Sequence, residues 1–203
     1  MTFRDNAYYG IVLAGAETGS RGMFIDSCFF YGNAHGAIFV TLDNTHITRC
    51  VFEGNSKQSS KDPTWLKGTA LIDVKHNTFN QIVIRDNTFR NTSGKMYGLW
   101  LSSKVNNAEI VQNTFNNMPR TALAIYGSQA SIIGNSFQNT GSRDIQFKAG
   151  NGHIVACNTF SGKERALMLV ESTGTFQVEN TFNNASLPTR LLQAKKKFVN
   201  VAP

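Results

Sequence analysis

The sequence predicts an all-β solenoid, in which short strands stack in parallel through about eight rungs of roughly 22 residues each. One phrase recurs along most of the chain: a short apolar strand, a spacer, a second strand and an Asn-rich turn, as in the copy from Gly98 to Asn117. The apolar segments alternate every second residue, as strands do, and helical periodicity is weak before residue 185. Because a strand–helix unit needs about 30 residues, each rung is expected to contain only strands and corners.

A phenylalanine marks the second strand of every copy, and most intervals between these marks are 22 or 23 residues. The marks are Phe3, Phe30, Phe52, Phe89, Phe115, Phe137, Phe160 and Phe182. Asn stands two residues before the later marks, whereas Cys28 and Cys50 take that place in two early copies. We expect an internal stack of phenylalanine rings and Asn side chains that bond to their copies in neighbouring rungs. Asn also tolerates the left-handed backbone of a tight turn. The cysteines are expected to be free thiols, with a disulfide between Cys28 and Cys50 as the alternative.

The solenoid is expected to span residues 1–184, with a polar loop inserted at about 56–68 and an enlarged corner at 77–79. In this irregular rung we choose Ile72 and Val74 as the inward pair, which turns Asp73 outward. Residues 185–203 are expected to form a C-terminal cap or a linker, with a short basic helix over 191–197 and a strand near 198–201.

The chain carries 20 Lys and Arg against 13 Asp and Glu, a net charge of +7 that favours polyanionic partners. The first residues show no signal peptide, and no apolar run is long enough for a membrane helix, so membrane insertion is not expected. Only the net charge supports nucleic-acid binding, so nucleic acid is not expected as a partner. The four histidines occupy unrelated repeat positions and no acidic residues are grouped, so neither a metal site nor a cofactor is predicted.

The outward face of the first strand of each rung is the candidate binding surface. Phe39, Trp100 and Tyr126 are expected to lie in neighbouring columns of this face. They would form a platform for sugar rings, or else they would be covered by the inserted loop, a terminal segment or another subunit. Just ahead of these strands, Arg120, Arg143 and Arg165 recur at the rung spacing. They are expected to bind an acidic polymer or to remain solvated at the corners.

Catalytic candidates fall into two classes. Hydrolysis of a glycoside needs two carboxylates at a defined separation, and the candidates Asp73, Asp144 and Glu171 form no convincing pair in sequence. A polysaccharide lyase needs a base and a cation that neutralises the uronate. Tyr126, Lys148 and Arg143, on adjacent rungs, meet that requirement. Whether the chain is an enzyme is left open, as a lyase or a glycoside hydrolase.

Variants of the pattern Gly-Ile-x-Ile … Ile-x-x-Asn-x-Phe-x-Asn-Asn between residues 3 and 184 resemble the right-handed, single-stranded parallel β-helix superfamily. Within it the chain looks most like part of a bacteriophage tailspike or capsule depolymerase. That resemblance implies a homotrimer in the virion that binds and cleaves acidic bacterial surface polysaccharide. The alternatives are a secreted, extracellular enzyme of the pectate-lyase or epimerase type, and a non-catalytic structural or adhesive β-helix.

Overall fold

The computed structural model contains three parallel sheets of eight strands each, and the chain visits them in turn once per rung. It describes residues 1–13, 22–42, 44–56, 68–72, 81–92, 97–141, 143–161, 165–170, 172, 174–183, 191–192 and 199–200. For 68–72, 165–170, 191–192 and 199–200 the description is of the backbone. The predicted all-β parallel solenoid is confirmed. No helix in the described part of the chain is long and apolar enough to cross a membrane.

The strands within each sheet follow one another in chain order. Sheet 1 contains Thr2–Arg4, Phe29–Tyr31, Val51–Glu53, Thr88–Arg90, Thr114–Asn116, Ser136–Gln138, Thr159–Ser161 and Thr181–Phe182. Sheet 2 contains Tyr9–Leu13, Gly36–Val40, Gly68–Ile72, Tyr97–Leu101, Thr121–Ile125, Arg143–Lys148, Arg165–Val170 and Leu191–Leu192. Sheet 3 contains Phe24–Asp26, His46–Thr48, Val83–Arg85, Glu109–Val111, Ser131–Ile133, Ile154–Ala156, Phe176–Val178 and Val199–Asn200.

The eight phenylalanine marks occupy one column of sheet 1, each paired in register with the next. Their ring centroids are separated by 4.6 to 5.1 Å and the rings are stacked. The six inner rings, from Phe30 to Phe160, are fully buried. Rung spacing places identical rings at a good stacking distance, so the repeat itself builds the core.

A second column consists of asparagines that bond from rung to rung. In Asn87, Asn113, Asn135 and Asn158 the backbone N–H and the side-chain amide both donate to the Oδ1 of the next Asn, at 2.8 to 3.0 Å. We call this column, which ends at Asn180, the Asn ladder. Cys50 N–H donates to Asn87 Oδ1, so the cysteines continue the column. Both cysteines are free thiols, as predicted.

Left-handed backbone occurs beside the ladder and not at its asparagines. The residue before each ladder Asn has the positive φ, as at Asp86 and Gln112. After the phenylalanine marks, the left-handed residue is an Asn at 91, 117 and 139 but is Asp5, Gly32 and Gly54 in the early rungs. The buried amides are thus free to serve as hydrogen-bonding groups, while a polar or Gly neighbour adopts the strained turn geometry.

The irregular rung differs from its predicted register. In the backbone register Ala70 pairs with Leu99 and Ile72 pairs with Leu101. Ile72, which we expected at the first of these two positions, is therefore at the second, and Val74 lies outside the described residues. The inserted loop over 57–67, Asp73 and the corner at 77–79 lie outside the described residues.

Parallel pairing continues beyond residue 184. Leu191–Leu192 pairs with Leu169 and Val170 in sheet 2, and Val199–Asn200 pairs with Phe176 and Gln177 in sheet 3. The strand expected near 198–201 is therefore present. The helix expected to begin at Leu191 was wrong at its start, because those residues extend the sheet.

Candidate functional site

The outer face of sheet 2 carries an aromatic cluster that the chain itself covers. Phe39, Trp100 and Ala124 pack together there, with 6%, 5% and 0% of their surface exposed. Tyr9, Tyr97 and Tyr126 pack around them. Of the two alternatives for this face, an exposed platform and a covered surface, the covered surface is the one found for Phe39 and Trp100. Their faces are occupied by protein, so sugar rings do not stack on them in this conformation.

Tyr97 joins this outer cluster because sheet 2 does not keep a strict two-residue alternation. Ala122 and Leu123 are consecutive, and both belong to the main core, as do Ala37 and Ile38. Where two successive residues of a strand point inward, the residue before them lies on the outer face. In the strand Tyr97–Leu101 that residue is Tyr97, which is the first residue of the strand and pairs with Gly68. Simple alternation from Leu99 would have pointed Tyr97 inward. The small Gly98 that follows it was the available signal.

Beside the buried aromatics, three cations surround two tyrosines in what we call the cation–aromatic cluster. Arg120 lies over the ring of Tyr97 at 4.9 Å from its centroid, and Lys148 Nζ lies over the ring of Tyr126 at 5.4 Å. Tyr97 and Tyr126 both pack against the buried aromatics, and the charge of Arg143 acts on Tyr97. Burial raises the pKa of Tyr97 above its ordinary value. Of the three residues that the sequence grouped, Tyr126 and Lys148 are in contact, and Arg143 acts through its charge on the neighbouring Tyr97.

The predicted arginine column is only partly in register. Arg143 and Arg165 are direct partners, whereas the residue that pairs with Arg143 in the rung before is Thr121. Arg120 is therefore one position ahead of the column and reaches Tyr97 from the corner. In Arg143, the Nε atom is buried without a hydrogen-bond partner among the described residues. Arg165 is placed by its backbone alone.

The carboxylate candidates do not form a pair in the described part of the chain. Asp144 is fully buried, not outward as expected, and lies opposite the core residue Ala122. Thr140 donates a hydrogen bond to Asp144 Oδ1, whereas Oδ2 has no partner among the described residues. Burial raises the pKa of Asp144 to about 7. Asp73 and Glu171 lie outside the described residues.

A groove of about 400 Å³ lies at the corner between sheets 1 and 2, close to the cation–aromatic cluster. We call it the corner groove. Its lining residues are Thr92, Asn117, Met118, Pro119, Asn139, Thr140 and Gly141. Pro119 immediately precedes Arg120, so the groove and the cluster are continuous along the chain. Sequence reasoning missed this groove, because its residues belong to the turn and not to the strands.

Comparison with known proteins gives one family. The family model described as "Periplasmic copper-binding protein (NosD)" matches residues 1–189. No curated protein matches the chain.

The copper of that description can be tested against the residues present. Within the described ranges, no group of three or more His, Cys, Asp or Glu side chains is placed to hold a metal ion. The stacked thiols of Cys28 and Cys50 are the only neighbouring pair of cysteines described, and burial raises the pKa of Cys50 to about 11. The described His, Cys, Asp and Glu side chains therefore form no copper site of three or more ligands.

Proposed function

The chain belongs to the NosD family of β-helix proteins, and from that premise we propose that it is a carbohydrate-binding protein that holds an acidic polysaccharide at the cation–aromatic cluster. The observation that carries the proposal is the placement of Arg120 over the ring of Tyr97 and of Lys148 over the ring of Tyr126, with the charge of Arg143 also acting on Tyr97. Guanidinium groups bind carboxylates through paired hydrogen bonds, and tyrosine edges suit sugar hydroxyls.

One feature favours an anionic ligand over a neutral one. Arg120 and Lys148 are exposed and Arg143 is partly exposed, so carboxylates of the ligand can pair with their positive charges. The family is described as periplasmic, which favours an extracytoplasmic site of action and agrees with the extracellular alternative.

The first experiment is affinity measurement with a uronate polymer and a neutral polymer of similar length. We expect binding to the uronate polymer, weakened by added salt because exposed charges are screened. Arg120→Gln and Arg143→Gln should each lower the affinity about tenfold. Arg85→Gln, which removes an exposed arginine from sheet 3, is the matched control and should leave affinity unchanged. Equal losses in all three variants would show that only net charge matters and would contradict the proposal.

Cleavage of the polysaccharide is the second candidate, as in a tailspike-like depolymerase or a secreted lyase. It is favoured by one observation, the contact of Lys148 with the ring of Tyr126 beside Tyr97, on which the charge of Arg143 acts. A lyase would produce shortened chains with the absorbance of an unsaturated uronate, and Tyr126→Phe should abolish it. Shortening without that absorbance would indicate hydrolysis and direct attention to Asp73, Asp144 and Glu171. Binding without shortening would support the non-catalytic reading.

A further inference from the structure

The corner groove combines an apolar wall with exposed amides. Pro119 forms the exposed apolar part of its lining, since Met118 is buried, and Asn117 and Asn139 are exposed at its polar part. Asn117 Nδ2 donates to Asn91 Oδ1 at 3.1 Å, which orients that amide. The Asn139 side chain has no hydrogen-bond partner within the described ranges, so its donors and acceptor are available to a ligand.

The floor of the groove is polar and rigidly held. Thr140 lines the groove, is 2% exposed, and donates to the fully buried Asp144. Gly141 N–H donates to Met118 O at 2.6 Å, and a Cβ at Gly141 would lie 2.3 Å from Pro119 O. The two rungs are therefore packed tightly at this corner.

The position of the groove indicates what it would hold. It adjoins Arg120, whose guanidinium lies over Tyr97 in the cation–aromatic cluster. A polysaccharide with an acidic sugar at that cluster would therefore place its next sugar in the groove. An acetamido group presents one methyl and one amide side by side, which match the exposed Pro119 ring and the Asn139 amide.

We propose that the corner groove is a subsite for an N-acetylated amino sugar next to the acidic sugar at the cation–aromatic cluster. This inference rests on the proposed function and names its ligand more narrowly: a heteropolymer that alternates uronate with N-acetylhexosamine. Asn139 is the residue that selects the acetamido group, and Thr140 is a positioning residue held by Asp144.

The test compares two polymers of equal length, an alternating uronate–N-acetylhexosamine polymer and a polymer of uronate alone. The alternating polymer has the lower charge density, so a preference for it cannot come from charge. We expect the parent protein to bind it about fivefold more tightly, as one or two added hydrogen bonds would allow. Chemical removal of the acetyl groups should abolish the preference.

Two variants separate this inference from the proposed function. Asn139→Gly keeps the left-handed turn, with φ of 50°, and removes the amide. It should lose the preference and leave affinity for polyuronate unchanged. Gln112→Gly, an exposed left-handed residue at another corner, is the matched control and should change neither affinity.

Arg120→Gln should weaken binding of both polymers. Equal binding of the two polymers by the parent protein, unaffected by Asn139→Gly, would overturn the subsite while the proposed function stands. Failure of the parent protein to bind either polymer would overturn both.

Discussion

Two buried residues, Asp144 and His153, carry titratable groups whose pKa values are displaced in opposite directions. The His153 ring stacks on Phe147 with 4.3 Å between centroids, and its Nδ1 accepts a hydrogen bond from the N–H of Ala130 at 3.3 Å. Burial lowers the pKa of His153 to about 4, and burial raises that of Asp144 to about 7. Both groups are therefore neutral inside the protein over a range in which they would be charged in the unfolded chain.

Asp144→Asn should change the pH dependence of stability. The carboxyl group binds its proton more tightly in the folded state, so its contribution to the free energy of unfolding is full below about pH 4 and is lost as the pH rises toward 7. Asparagine cannot titrate. As the pH rises from about 4 to about 7, the free energy of unfolding of the variant should therefore increase relative to that of the parent by up to about 1.4 kcal/mol per pH unit. Urea unfolding at several pH values measures the difference, and a difference independent of pH would contradict the buried carboxyl.

His153→Gln should show the reverse trend. Glutamine retains an acceptor for the Ala130 N–H and removes the titration. In the parent protein the His153 contribution is full above about pH 6.5 and is lost as the pH falls toward 4, because only the unfolded chain takes up the proton. The variant should therefore gain stability relative to the parent on acidification. The same unfolding series measures it, and Asn106→Gln at a neighbouring corner, which has no titratable group, serves as the control.

A single substitution in the Asn ladder should lower the free energy of unfolding by more than a substitution of similar size at the surface. Asn135 accepts two hydrogen bonds from Asn113 and donates its own amide to Ile110 O and Asn158 Oδ1. Asn135→Ala would leave the buried N–H of Asn113 without its acceptor, whereas the Asn113 amide would keep Ile84 O and Val111 O. We expect a loss of about 1–3 kcal/mol in the free energy of unfolding, the cost of one buried unpaired group.

Gln138→Ala in the same rung is the control for that variant. Its side chain is exposed and bonds only to Ser136 in the described part of the chain, so a change within about 0.5 kcal/mol is expected. Thermal unfolding followed by circular dichroism compares the two. Equal effects would show that the ladder adds nothing beyond ordinary surface contacts.

At the scale of the whole molecule, the outer face of sheet 3 offers an apolar surface for assembly. Ile154 and Phe176 are register partners there, and 42% and 47% of their surface is exposed, with Ile133 nearby at 36%. The homotrimer proposed from the tailspike resemblance would bury this surface. Light scattering should then give a particle mass three times the 22.4 kDa of a single chain, and the Ile154→Lys variant should have the mass of a single chain. Val12→Lys, at an exposed apolar residue of sheet 2, should leave the trimer intact. A monomeric parent protein at all concentrations would contradict the proposal.

The periodic part of the fold was determined by the sequence alone. In-register parallel stacking places each residue against the residue at the same position of the neighbouring rung. The phenylalanine period and the recurring Asn therefore specify the core and the ladder without further information. Only the tertiary structure decided where the repeat bends. Two successive inward positions in sheet 2 move Tyr97 outward and bury Asp144, which a strict two-residue alternation does not predict. The covering of Trp100 and the corner groove likewise depend on how corners of different rungs pack, and that packing joins residues whose side chains do not share a repeat position.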